Sequence, residues 1–404
     1  MIKPSLELAD IFRSFDINEL APNGVRLSSA QRRVLRAITQ CRTAALGGHL
    51  EQCDQCGHTQ IAYNSCRDRH CPKCQAAARA EWLEERAEEL LPVEYFHVVF
   101  TLPDQLGPLA LQSKQIIYSL LFKAASETLL EIADDPRHLG AEIGFLAVLH
   151  TWGQTLQAHP HLHCIVPGGG LSPDHSKWVA CRKGFFLPVK VLSRLFRRKF
   201  IGGLRKAFED GKLVCAGQLS HLILNESFEK LLDGLGQTEW VVYAKPLFGG
   251  PEQVLKYLAR YTHRVTISNH RLLEFSDGRV TFSYKDYAAG NITKTMTLEV
   301  QEFIRRFLLY VLPKGFVRIR QYGFLANRCR QEKLELCRRL IEQSGGSASP
   351  DDQRTEQSDQ TQTTLADSFL CPVCRKGRMV IIDPMIVSTE KLVEASLALW
   401  SDSS

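Results

Sequence analysis

The chain lacks any apolar run long enough to cross a bilayer, and no secretory leader pattern stands at its start. Membrane roles are thereby set aside, and a cytoplasmic location is the expectation. Also missing is a strong excess of one charge: 50 Lys and Arg against 44 Asp and Glu leave +6 over 404 residues. That balance permits nucleic-acid binding without requiring it, because local clustering of charge matters more than the total. The remainder is ordinary for a globular protein, with 44% hydrophobic and 23% charged residues in a length that suits two or three domains. Cysteine departs from this pattern. Thirteen of them in a chain without an export signal argue against a disulfide framework and for reduced thiols and metal.

Cys53-Asp54-Gln55-Cys56 and Cys71-Pro72-Lys73-Cys74 are two Cys-x-x-Cys turns separated by fourteen residues. That is the spacing of a structural zinc site with four thiolates, here Cys53, Cys56, Cys71 and Cys74. Such a closed site has no open position for chemistry, so its expected role is to fold a small module. Cys66, His49, His58 and His70 lie near enough in sequence to replace one ligand or serve a second ion. Between the turns, Arg67, Asp68, Arg69 and His70, with Lys73 beyond, make a basic loop expected to be exposed; Arg67, Arg69 and Lys73 are its candidate DNA contacts. A further pair, Cys371 and Cys374, has no second pair after it. It could draw ligands from Cys329 and Cys337 or from a second subunit, or be a plain turn.

His161-Leu162-His163 reads as part of a strand, in which alternation sends both imidazoles to one face and Leu162 to the other. Two neutral imidazoles on one rigid face can share a divalent ion. Residues 143–150 read as an apolar strand ending in His150, and antiparallel pairing would set His150 beside His161 and His163 as a third ligand, with Gln154 and His159 as competitors. Downstream, residues 251–264 have helical composition with a proline at the start. Tyr257 and Tyr261, four apart, share one face of that helix.

Around these lie helices near 6–15, 28–41 and 75–90, the second capped by Ser28 or Ser29. A strand at 96–102, a helix at 109–132 and the two histidine-bearing strands give the order strand, helix, strand, strand, which is α+β in the manner of a split βαβ sheet with helices on one face. Residues 178–181 could extend that sheet. A basic helix over 188–212, with Arg197 and Arg198 among its positive charges, could track a phosphate backbone. A small meander at 265–284 turns at Asp277-Gly278, a helix covers 299–312, and a basic helical stretch with Arg318 and Arg320 follows. Residues 343–364, almost free of apolar side chains, read as a disordered linker.

The two-histidine strand followed by a two-tyrosine helix resembles the HUH endonucleases, and more closely the two-tyrosine rolling-circle transposases of the insertion-sequence 91 type. The likeness extends through Ser65-Cys66-Arg67-Asp68-Arg69-His70-Cys71-Pro72-Lys73-Cys74, Tyr95-Phe96-His97-Val98-Val99-Phe100-Thr101-Leu102-Pro103 and Val311-Leu312-Pro313-Lys314-Gly315-Phe316, in the family's order, over most of residues 1–340. It implies a central antiparallel sheet with flanking helices that presents the metal, preceded by a small four-cysteine zinc module with helices. The implied domains are 1–92 for zinc and DNA recognition and 93–342 for catalysis, with a linker at 343–368 and a short tail at 369–404. The implied chemistry is nicking and rejoining of single-stranded DNA at hairpin-bearing transposon ends by Tyr257 and Tyr261, through a 5′-phosphotyrosine link. His161, His163 and His150 would hold Mg2+ or Mn2+, and zinc would be structural. Arg260, His263 and Arg264 could lower the phenol pKa, with Arg260 and Arg264 also near the DNA. A bacterial, nucleoid-associated setting and a homodimer are compatible with this. The rival readings are a plasmid replication initiator or relaxase, and a non-catalytic zinc-finger DNA binder.

Overall fold

Alternation of side chains along one strand organises the larger part of the molecule. The structure, a computed structural model, describes residues 6–15, 27–247, 253, 254, 257, 265–286, 289–344 and 370–383, with backbone alone at 76–81. The first elements are α1 (Leu8–Arg13), α2 (Ser29–Gln40), β1 (Gly48–Cys53), β2 (Thr59–Tyr63) and α3 (Pro72–Ala87). Then come β3 (Tyr95–Thr101), α4 (Gly107–Gln112), α5 (Lys114–Asp134), β4 (Gly144–Trp152), β5 (Ala158–Pro167), β6 (Gly169–Leu171) and β7 (Trp178–Ala180). The chain continues through α6 (Val189–Glu209), α7 (Asn225–Gln237), β8 (Val242–Leu247), β9 (Leu272–Ser276), β10 (Arg279–Asp286) and β11 (Ile292–Glu299). It ends with α8 (Val300–Leu309), β12 (Ile319–Gly323), α9 (Arg330–Gln343) and β13 (Met379–Asp383). Two compact units result, one of 1–82, 263–311 and 355–404, the other of 83–262 and 312–354.

The second unit is built on a five-stranded antiparallel sheet in the order β12-β4-β5-β3-β8. Register aligns Leu162 with Phe100 and Leu149, and Cys164 with Val98 and Ala147. Each of these is at most 1% exposed, and α5, α6 and α7 pack their apolar stripes over that face. Burying side chains of this size contributes roughly 1.5–3 kcal/mol each, so the helix-covered face holds the sheet's shape without help from its other side. The histidines point to that other side.

Several expectations need correction. The helix read at 109–132 breaks at Ser113, which leaves helical geometry at φ −111° and ψ 43°. Arg318 and Arg320 do not lie on a helix: Arg318 precedes and Arg320 belongs to β12, the sheet's edge strand, where the Arg320 guanidinium lies 4.0 Å over the Phe122 ring. Trp178–Ala180 pairs with Gly169–Leu171 in a separate ribbon and leaves the central sheet unextended. The expected linker falls mostly at 345–369, outside the described residues.

In the first unit, Ser28 is the helix cap: its hydroxyl accepts from the Gln31 N–H, and the Gln31 side chain accepts from the Ser28 N–H. The meander gains a strand that periodicity did not mark, β11, which pairs with β10 along its whole length. Asp277 and Gly278 both have positive φ, 50° and 71°, as a two-residue hairpin turn of this hand requires. Residues 263–311 were expected within the catalytic domain. They group instead with α1 and α2, because Phe12 packs edge-on against Phe307 at 5.2 Å, Asn269 Oδ1 accepts from the Leu8 N–H, and Gln31 donates to the Leu308 carbonyl.

Candidate active site and thiolate centres

On the open face of the sheet, register sets His150 directly opposite His161, and His163 opposite Val148 and Val99. His150, His161 and His163 each offer a ring nitrogen, and these three atoms lie within 4.8 Å of one another. His161 Nε2 and His163 Nε2 are 3.0 Å apart. Two ligands at right angles on an ion with bonds of about 2.1 Å would be separated by about 3 Å, so the pair fits one divalent ion. The Nδ1 atom of His161 lies 2.6 Å from the His159 carbonyl oxygen, which can only accept. His161 therefore carries its proton on Nδ1 and leaves the Nε2 lone pair for an ion. His159 thus serves through its backbone, while its ring lies 3.9 Å from Asp104.

His97 is the residue that the sequence reading passed over. It lies in β3 two positions from Val99, so alternation puts it on the histidine face. Its Nε2 is 2.7 Å from His163 Nδ1, and its Nδ1 is 2.7 Å from the Tyr257 hydroxyl. Burial disfavours the imidazolium and draws the His97 pKa down to about 4, so the ring is neutral near pH 7. Only the Tyr95–Pro103 stretch, one of the segments that carry the family likeness, held a signal for it. Tyr257 is helical and half-buried, with its ring edge-on to His97 at 5.0 Å. Tyr261, Arg260, His263 and Arg264 lie outside the described residues.

The four thiols expected to share one ion do not converge. Cys71 and Cys74 group with Cys41 and Cys66, whereas Cys53 and Cys56 group with Cys371 and Cys374. The reason lies in the β1–β2 hairpin. Cys53 and Cys56 sit at its tip, Cys41 and Cys66 flank its base, and five paired positions, roughly 16 Å of strand, separate the two ends. In the first group Cys41 Sγ and Cys66 Sγ each lie 3.5 Å from Cys74 Sγ, and Cys41, Cys71 and Cys74 are buried. Hydrogen bonds from the Cys66 and Cys71 thiols draw the Cys41 thiol down to about 7, toward the thiolate that binds metal. Four sulfurs at this spacing and no carboxylate suit zinc.

The basic residues are partly committed. Arg67 is exposed, but Lys73 pairs with Glu7 at 2.5 Å, Arg69 is half-buried, and His70, expected in an exposed loop, is buried. Arg197 donates to the Thr238 carbonyl and Lys199 pairs with Glu131, while Lys190, Arg194 and Arg198, spaced four apart along α6, are exposed.

Comparisons with known proteins identify the family. A family model described as "Putative transposase" matches residues 144–333, and one described as "Transposase zinc-binding domain" matches 11–102. A curated protein named "Putative transposase y4qJ", from Sinorhizobium fredii, is 57% identical over 384 residues, covering 95% of this chain and 96% of that protein. The chain belongs to the transposases of the insertion-sequence 91 type. The transposase for insertion sequence element IS801 of Pseudomonas savastanoi pv. phaseolicola is 28% identical over 294 residues, 71% of this transposase and 68% of that one. No solved structure matches. The transposase therefore acts on DNA and carries a structural zinc module, and the replication-initiator, relaxase and non-catalytic readings are not favoured. Among its described residues no helix is long and apolar enough to cross a membrane.

Proposed function

We propose that this transposase cuts and rejoins single-stranded DNA at hairpin-bearing transposon ends in rolling-circle transposition, with Tyr257 as a nucleophile. The observation that carries the reading is the 2.7 Å contact between the Tyr257 hydroxyl and His97 Nδ1, in a run of ring contacts that ends at the three-histidine group. His150, His161 and His163 would hold a divalent ion, Mg2+ or Mn2+, whose chemistry is to polarise a phosphoryl oxygen and offset charge building there. A donor set of imidazoles alone favours Mn2+ over Mg2+, which prefers oxygen. Cys41, Cys66, Cys71 and Cys74 hold the structural zinc.

Proton placement follows from the ring contacts. With Nε2 of both His161 and His163 used as ligands, His163 carries its proton on Nδ1 and donates it to His97 Nε2. His97 must then carry its own proton on Nδ1 and donate to the Tyr257 oxygen. A donor aimed at that oxygen favours phenolate over phenol. This matters because a phenol with an ordinary pKa of about 10 is a weak nucleophile at neutral pH. The phenol gives its proton to solvent, the tyrosine oxygen attacks phosphorus in line, the new O–P bond replaces the bond to the 3′ oxygen, and the departing 3′ oxygen takes a proton from solvent to become a hydroxyl. Because the phosphotyrosine link keeps the energy of the broken bond, the 3′-hydroxyl can reverse the step without ATP. Tyr261 would hold a second end. Arg67 and the row of Lys190, Arg194 and Arg198 supply the exposed positive charge for the DNA backbone.

The test is covalent capture. The protein is incubated with Mn2+ and a 3′-labelled single-stranded oligonucleotide spanning an element end, then resolved on a denaturing gel. An adduct is expected with the unaltered protein and none with Tyr257→Phe combined with Tyr261→Phe. Binding without any adduct, or an undiminished adduct in the double variant, would sink the reading.

A further inference from the structure

The turns at Cys53–Cys56 and Cys371–Cys374 are built alike, although more than three hundred residues separate them. In each, the N–H of the first cysteine crosses the turn, Cys53 to the His58 carbonyl and Cys371 to the Gly377 carbonyl, both at 2.8 Å. In each, the carbonyl of that cysteine accepts from the residue four positions on, Gly57 at 3.1 Å and Arg375 at 3.0 Å. These two residues share a left-handed backbone, with φ 73° and 54°. Arginine does not adopt that conformation freely, so the surroundings must impose it. Backbone amides also point at sulfur, from Gln55 and Cys56 to Cys53 Sγ at 3.4 and 3.5 Å and from Gly377 to Cys374 Sγ at 3.3 Å.

The sulfurs of the two turns alternate around a common centre. Cys53 Sγ lies 3.7 Å from Cys374 Sγ, Cys56 Sγ lies 3.6 Å from Cys371 Sγ, and all four fall within 4.8 Å of one another. Disulfide sulfurs would be about 2.05 Å apart. A tetrahedral ion with bonds of about 2.3 Å would hold its sulfurs about 3.8 Å apart. The neighbouring backbone is fitted to the same meeting. β13 pairs antiparallel with β1 from Cys53 to Leu50, Asp54 N–H donates to the Arg378 carbonyl at 3.0 Å, and Arg378 N–H donates to Asp54 Oδ1 at 2.8 Å. A Cβ on Gly377 would fall against Cys53 Sγ, 2.6 Å from Asp54 Oδ1 and 2.9 Å from the Gln55 Cβ.

We propose a second structural zinc, bound by Cys53, Cys56, Cys371 and Cys374, that clasps the C-terminal segment to β1 and completes a zinc ribbon from two distant pieces of chain. β13 cannot hold itself there by burial. None of its five residues is buried, and Val380, Ile381 and Ile382 are 49%, 55% and 50% exposed. The ion therefore does the fastening, and its loss frees the tail and uncovers the edge of β1.

The test counts thiolate-bound metal in the full chain, in a His161→Ala background so that the imidazole site does not add to the total. Zinc by elemental analysis and the sulfur-to-metal absorbance of the cobalt-exchanged protein should both report two ions per chain. Cys371→Ser with Cys374→Ser should leave one, halve the cobalt absorbance and speed proteolysis of the tail at least tenfold. Gly377→Val, which keeps every thiol, should also drop to one. A single ion in the parent chain, or two ions retained in either variant, overturns the proposal.

Discussion

The histidine face and the thiolate groups both bring together side chains that could hold metal, and they differ in how those side chains are gathered. His150, His161 and His163 come from two adjacent strands of one sheet, whereas the thiols that meet are 33 residues apart in one group and 321 in the other. On a strand, period and register fix both which side chains face the ion and which neighbours join them. A Cys-x-x-Cys turn fixes two ligands and leaves the other two to topology. The supports differ as well: the imidazoles stand on a sheet whose far side is a filled core, while β13 has no buried residue. Metal should therefore be a reagent at the first kind of site and a fastener at the second.

The largest expected effect breaks that comparison if it fails. Cys71→Ser removes a fully buried ligand. Binding of a structural zinc contributes roughly 10–16 kcal/mol to folding in small modules, more than most domains have in reserve. The first unit should lose its cooperative thermal transition by circular dichroism and become a ready protease substrate. His161→Ala should do the reverse, abolishing covalent capture of DNA while moving the thermal midpoint by no more than about 4 °C, as a polar change off the core does. A His161→Ala protein that unfolds, or a Cys71→Ser protein that melts normally, would mean the two kinds of site are not divided in this way.

The same contrast explains what could be read from the residues alone. The central sheet and the three-histidine group were legible because Leu162, Cys164 and Val166 alternate with His161 and His163, and the partner strand carries the matching histidine, His150. The zinc ligands were legible as cysteines but not in their grouping, since nothing at Cys53 or Cys56 states that the other half of the site begins at Cys371. Arg320 misled for a related reason. A basic residue flattened over Phe122 on an edge strand looks, in sequence, like one on a solvated helix. His97 was hidden because one histidine in an apolar strand is more often a satisfied core residue than a working one, and only the fold brings it to Tyr257.

A smaller effect sharpens the idea of metal as reagent. His97 touches His163, the proposed ligand, and Tyr257, the proposed nucleophile, but would not touch the ion, so His97→Ala should raise the Mn2+ concentration for half-maximal capture roughly 10–100-fold, the usual consequence of losing a ligand's hydrogen-bond partner. The midpoint of thermal unfolding should hardly follow. Equal metal dependence in the two proteins, with capture lowered only through instability, would reduce His97 to a packing residue.

The smallest effect concerns the DNA. Tyr243, 38% exposed on β8, stands edge-on to His97 at 5.9 Å, with Lys245 Nζ 5.2 Å from its ring. An exposed ring with a cation beside it is the usual pairing for stacking a base and neutralising its phosphate, and its place next to His97 would steady the nucleotide neighbouring the one that is cut. Because the ring covers one base at the sheet's edge, Tyr243→Ala should weaken binding of a short single strand by about 1 kcal/mol, roughly fivefold. Affinity for duplex DNA, whose bases are already stacked, should stay the same, and equal losses on both substrates would point to charge and shape in place of stacking.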